Sequence, residues 1–196
     1  HQNIKGFSNC VPKLEEVANV FNNFYFGGDP EGKDGEWKGF IRNEALLVTR
    51  EFFKELTLQE VKWGFVSGAE PSSAKFVLET RLGLSNPPLI AMGDAPDKPD
   101  PTGLLKLAKE LVGKPLGLGV PLVAYLGDTV ADVITVQKAR KEVPDQNFLS
   151  LAVAPPHLHK EEQLTSRLKY EKALKSSGAE IILKNTNDLL KVASNL

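Results

Sequence analysis

Val123-Ala-Tyr-Leu-Gly-Asp-Thr-Val-Ala-Asp132 reads as a buried apolar strand that ends abruptly in Gly-Asp-Thr-x-x-Asp. A strand of this kind belongs inside a parallel sheet, and open α/β folds place their ligands at the carboxyl ends of such strands. Asp128 at the strand tip and Asp132 one helical turn later can converge on one hard cation. Gly127 lets the backbone turn tightly beside a ligand. A plainer reading of the same residues is a βα turn in which Asp or Thr caps the next helix. The spacing by itself leaves both open.

Outward from this stretch the chain alternates strand and helix. Upstream, Val61–Val66 reads as a strand, Ser72–Leu82 as a helix closed by Gly83, Pro88–Met92 as a strand, and Pro101–Val112 as a helix. Downstream come a helix over Val130–Lys141, the strand Asn147–Val153 and a helix over Glu161–Ser176. The short strand Glu180–Leu183 and a last helix from Asn187 complete the series. This alternation predicts an α/β, Rossmann-like parallel sheet joined by right-handed crossovers. Residues 12–26 and Asn43–Glu60 have helical apolar spacing, and a Gly-rich loop over 27–35 follows the first of these helices. The expected division is a mainly helical piece over residues 1–42 and the βα core over 43–196.

Composition narrows the partners. With 196 residues, 41% hydrophobic and 25% charged, the chain is an ordinary globular one. A formal charge of −1 gives no electrostatic case for nucleic acid or an anionic membrane. No apolar run approaches the ~18 residues of a membrane span. The single cysteine, Cys10, excludes an internal disulfide framework and a multi-thiolate zinc site. A reducing, cytoplasmic setting is the expectation.

Three strand ends bear on chemistry together. Val66-Ser67-Gly68 places a hydroxyl where it can bind a phosphate oxygen. Gly93-Asp-Ala-Pro-Asp-Lys98-Pro-Asp-Pro101 is a stiff loop that fixes one lysine just before a helix. Asp128 and Asp132 supply the carboxylates. A hydroxyl, an ammonium and a carboxylate pair at successive strand ends suit a magnesium-bound phosphate.

These residues resemble the second, third and fourth motifs of the haloacid dehalogenase-like hydrolases. Trp63-Gly-Phe-Val-Ser-Gly-Ala69 and Asp94-Ala-Pro-Asp-Lys-Pro-Asp-Pro-Thr-Gly103 are similar to a cyanobacterial subgroup labelled histidinol-phosphate-phosphatase-like. The resemblance covers most of residues 37–196. It implies a two-step phosphoryl transfer through an aspartyl-phosphate, with a second Asp as acid and base. Ser67 and Gly68 would bind the transferring phosphoryl group, and Lys98 would hold its charge and orient the nucleophile. Asp128 would bind Mg²⁺, with Asp132 beside it as ligand or support. The implied substrate is a small phosphorylated metabolite, and residues 1–42 would be a remnant of the family's helical cap domain. A phosphomutase of the same superfamily and a non-catalytic binding or regulatory protein are the alternatives.

One part of the pattern is missing. The family's nucleophile lies in an Asp-x-Asp at the end of a first, central strand. Asp29 and Asp34, the only Asp before residue 43, sit in the Gly-rich loop without an apolar strand before them. The expectation is that the sequence omits that segment, since its strand would lie between those ending at Ser67 and Asp128. Without it, both neighbours would expose unpaired backbone. An N-terminal segment outside the sequence or a second chain would complete the sheet. Direct pairing of the two neighbouring strands would refute this placement.

Other features read as structural. Gly113-Lys-Pro-Leu-Gly-Leu-Gly119 precedes a strand and opens no helix, so it fails as a phosphate loop. His157 and His159 read as polar surface near the active face, and Trp37, Lys38 and Arg42 as packing and solvated charge.

Overall fold

The computed structural model describes residues 12–30, 32 and 36–195. Cys10 and Asp34 lie outside the described residues. The chain forms two compact units, residues 1–45 and 46–196.

In the first unit, helix α1 (Leu14–Tyr25) follows the expected apolar spacing, yet none of its residues is buried. The unit's interior is instead made by Phe26, Trp37 and Ile41. Trp37 is fully buried against the ring of Phe26, and its indole N–H donates to the Asp29 carbonyl at 2.8 Å. Arg42 donates to the Trp37 carbonyl from its Nε. Trp37 is thus a packing residue.

Among its described residues the second unit contains five strands, all paired in parallel. β1 (Phe65–Val66) pairs with β2 (Leu89–Ile90), and β3 (Val123–Gly127) pairs with β4 (Phe148–Val153), which pairs with β5 (Ile181–Leu183). These are two separate sheets, β1-β2 and β3-β4-β5. Among the described residues β1 and β3 are not paired.

Helices bridge the interval. α4 (Thr102–Val112) packs so closely on the first sheet that a Cβ on Gly103 would meet Val66 Cγ1 at 3.3 Å and Ile90 Cγ2 at 3.4 Å. From the same helix, Leu104 packs with Val136 and Ala139 of α5 (Val130–Glu142) and with Phe148 of β4. α5 then turns Val133 toward Ala152 and toward Leu174 of α6 (Leu164–Ser176). One helical layer therefore spans both sheets. Under the first sheet, α2 (Arg50–Leu58) supplies Phe52, Phe53 and Leu56 to a cluster with Trp63, Phe65 and Leu89, which α7 (Leu189–Ala193) joins. Burying each such large side chain contributes roughly 1.5–3 kcal/mol.

Several elements differ from the sequence expectation. The helix expected from Asn43 begins only at Arg50, because Thr49 is extended (φ −108°, ψ 173°) and the Leu47 carbonyl accepts from Asn187 Nδ2 at 3.4 Å. The helix expected over Ser72–Leu82 is α-helical only at Pro71–Lys75 (α3) and widens to a π-helix over Phe76–Arg81. The strand expected over Val61–Val66 pairs at two residues alone, for it has a partner on one side only.

Candidate functional site

Residues 127–132 fold as the capped βα turn of the plainer reading. Thr129 is the N-cap of α5, with extended backbone, and its Oγ1 accepts from the Asp132 N–H at 3.2 Å. Asp132 reaches back so that its Oδ2 accepts from Thr129 N at 3.0 Å and Thr129 Oγ1 at 2.6 Å. This reciprocal capping box satisfies donors that a helix start otherwise leaves open. Gly127 is required for it. A Cβ there would lie 2.2 Å from Asp132 Cβ, so any side chain at 127 would expel the carboxylate.

The other oxygen of Asp132 makes the longer connection. Oδ1 accepts from Lys98 Nζ at 2.6 Å and from the Tyr125 hydroxyl at 3.1 Å. Asp132 is 2% exposed, so this ion pair is largely removed from water. Burial pushes the Asp132 carboxyl up, but the bonds from Lys98 and Thr129 outweigh it and hold the group below the ordinary range. Burial, and then the Asp132 charge, raise the Tyr125 phenol far above its usual value, so it remains a proton donor. Lys98 follows β2 and Asp132 follows β3. Their bond therefore ties the carboxyl ends of the two sheets together.

Asp128 is different. It is exposed at the tip of β3, and its carbonyl accepts from the Tyr170 hydroxyl at 2.8 Å. Loss of water on its inner side, then the Asp132 charge, raise its carboxyl above the ordinary value, while Lys98 opposes them. Ser67 closes a tight turn, its Oγ accepting from the Ala69 N–H at 3.0 Å. Ser67, Gly68 and Lys98 line one small hollow of about 20 Å³, whose wall also includes Asp97 and Asp100. Asp128 lines a second and much larger cavity, of about 450 Å³.

The structure thus brings Lys98 to Asp132 and to the hollow of Ser67 and Gly68, with Asp128 within electrostatic reach. For a divalent cation the carboxylates are unequal. Asp132 has four acceptor contacts, from Lys98, Tyr125 and Thr129, whereas Asp128 is an exposed residue. No group of three His, Cys, Asp or Glu side chains that could hold a metal occurs among the described residues. Mg²⁺ commonly takes one or two protein carboxylates and completes its octahedron with water and phosphate. Asp128 fits that use, and Asp132 fits the support of Lys98.

Two participants escaped the sequence reading, Tyr125 and Tyr170. Tyr125 lies two residues before Gly127 on β3, and this period-two spacing is the signal that could have found it. Tyr170 reaches Asp128 from α6, 42 residues on, with no local signal at all. His159 also lies nearer the site than expected, lining the cavity beside Asp128.

Comparison with known proteins adds the following. No family model matches the chain. Over 134 residues it is 31% identical to an imidazoleglycerol-phosphate dehydratase of Phytophthora nicotianae. That match takes in 67% of this chain, which spans only 27% of the curated relative's length. Among solved structures it is similar to a phosphonoacetaldehyde hydrolase-like protein from Oleispira antarctica, at TM-score 0.61 and 17% identity, over 95% of this chain and 67% of that one. It is also similar to a Northeast Structural Genomics Consortium target, at TM-score 0.60 and 15% identity, over 92% of this chain and 53% of that one. No helix among the described residues is long and apolar enough to cross a membrane. At these identities the structural likeness speaks to architecture alone, and it supports the α/β, Rossmann-like fold with parallel strands that the strand–helix alternation predicted.

Proposed function

We propose that this chain belongs to a Mg²⁺-dependent phosphatase acting on a small phosphate monoester through an aspartyl-phosphate. The observation that carries the reading is the Lys98–Asp132 bond, which poises an ammonium between the ends of two parallel sheets, beside the exposed Asp128. Phosphoryl transfer asks for this kind of fixed charge, because the transition state spreads negative charge over its equatorial oxygens. Lys98 would face the phosphoryl oxygens, held in place by Asp132. The Ser67 hydroxyl and the backbone at Gly68 would bind the same group. Asp128 would hold Mg²⁺, which when bound supplies further neutralisation of phosphate charge. The nucleophilic Asp would arrive on a strand between β1 and β3, supplied by an N-terminal segment or a second chain. The names of two relatives support a phosphorus oxyanion as ligand, one designating a phosphate compound and the other a phosphonate.

A non-catalytic binding role is the second reading, favoured by the engagement of both Asp132 oxygens with Lys98, Tyr125 and Thr129. Turnover separates the two. The 196-residue chain by itself is expected to release no phosphate from an aryl phosphate with Mg²⁺. A protein in which an Asp-x-Asp strand fills the interval is expected to release it. Release by the 196-residue chain would remove the need for an added nucleophile, and no release by the completed protein would leave the binding role.

A further inference from the structure

The cavity of about 450 Å³ beside Asp128 is assigned no part in phosphoryl chemistry, and its walls have a definite character. It opens at the carboxyl ends of β3 and β4, where Leu126, Gly127, Val153 and Ala154 form the floor. Leu47, Pro155 and Pro156 extend the apolar wall. The polar contributions besides Asp128 come from His159, Asn185 and Thr186. His159 is held by the contact of its Nε2 with the Ala154 carbonyl at 2.8 Å, and Asn185 by donation to Asp188 at 3.0 Å.

No Lys or Arg stands among the described lining residues. An anionic group placed here would leave water for apolar walls with no countercharge, and it would face Asp128. The hollow at Ser67 and Lys98, about 20 Å³, has no room for the carbon body of a substrate. A cavity of the larger size is typical of a small-molecule pocket, apolar with a few fixed polar groups.

We infer that this cavity seats the leaving alcohol of the substrate and selects an uncharged, apolar or aromatic alcohol over one bearing a second phosphate or a carboxylate. The inference rests on the phosphatase reading for the word "leaving"; the cavity's preference stands apart from it. His159 and Thr186 are the residues that set the preference, as hydrogen-bonding side chains beside the apolar wall of Leu47, Leu126 and Val153.

The test is binding, which needs no turnover. 2-Naphthaleneethanol and its carboxylate counterpart 2-naphthylacetate are titrated into the 196-residue chain, with naphthalene fluorescence as readout. The alcohol is expected to bind at least tenfold more tightly than the carboxylate. Thr186→Trp, which fills the cavity, is expected to weaken the alcohol at least tenfold. His159→Lys, which brings in a cation, is expected to reverse the preference. Each variant is first matched to the parent by its urea transition. Equal or tighter binding of the carboxylate overturns the inference, as does no binding of either probe up to millimolar concentration. Undiminished alcohol binding by a folded Thr186→Trp protein, or an unreversed preference in folded His159→Lys, also overturns it. Selective alcohol binding without phosphate release from the completed protein would remove the phosphatase reading and keep this one. Phosphate release without selective binding would do the reverse.

Discussion

Asp132 and Asp128 stand four residues apart and have opposite circumstances. Asp132 is buried and accepts from four donors, so replacing it removes the countercharge of Lys98 and half of a capping box. Removing one partner of a buried ion pair costs about 3–5 kcal/mol, and Lys98's 26% side-chain exposure moderates that figure. Asp132→Asn is therefore expected to lower stability by about 2–3 kcal/mol in urea titrations at pH 7. Asp128→Asn removes an exposed charge next to a like charge, and stability is expected to stay within about 0.5 kcal/mol of the parent or rise slightly. Equal losses in the two variants would defeat this division of labour. The Thr-x-x-Asp spacing makes the cap legible in sequence, and the four-residue step from Asp128 to Asp132 equally suits a cation. Lys98 decides between these uses for Asp132, and it lies 34 residues away across two elements. A local pattern holds no trace of that distance.

At the scale of elements, the strand-end positions of Ser67, Lys98 and Asp128 were readable because continuous apolar runs mark parallel strands. Lengths were less readable. α2 loses about two turns, residues 43–49, of the expected helix, and tertiary pairing limits β1 to two residues. The start of β5 shows how such a limit is enforced. Glu180 N–H donates to the Ser150 carbonyl at 2.8 Å, and Glu180 Oε2 accepts from the Ser150 N–H at 2.9 Å and from Arg140. One residue thus fixes the approach of β5 to β4 and reaches the α5 guanidinium. Desolvation pushes the Glu180 carboxyl up, yet the Ser150 and Arg140 bonds outweigh it and hold it below 4.5. A depressed carboxyl contributes stability above its unfolded value of 4.5 and loses that contribution as pH falls through the folded value. Glu180→Gln is expected to cost about 0.5–1 kcal/mol at pH 7, a small figure because the side chain is 44% exposed. The gap between the two proteins should close in urea titrations below pH 4.5. A gap that persists undiminished at pH 3 would show that the charge is not what holds the strand.

For the whole molecule, β1 and β3 each pair on one side only among the described residues, and their other edges bear on stability. Strand backbone groups point alternately to the two sides, and the observed bonds assign them. Phe65 and Ser67 donate to Pro88 and Ile90, which leaves the Val66 amide aimed at the interval. Val123 donates to Asn147, so Tyr125 and Gly127 also face β4, and Ala124 and Leu126 face the interval. The fold-level reading of a parallel sheet held, and the expected separation of these two strands is present. Hydrogen exchange measures the consequence. In the 196-residue chain, the Val66, Ala124 and Leu126 amides are expected to exchange faster than those of Phe65, Tyr125 and Gly127, by about tenfold or more per 1.4 kcal/mol of pairing. When a strand is supplied between β1 and β3, the three fast amides should become as slow as their neighbours. Uniform slow exchange in the chain alone would mean that the interval closes without added backbone, and the nucleophile would then have to come from elsewhere.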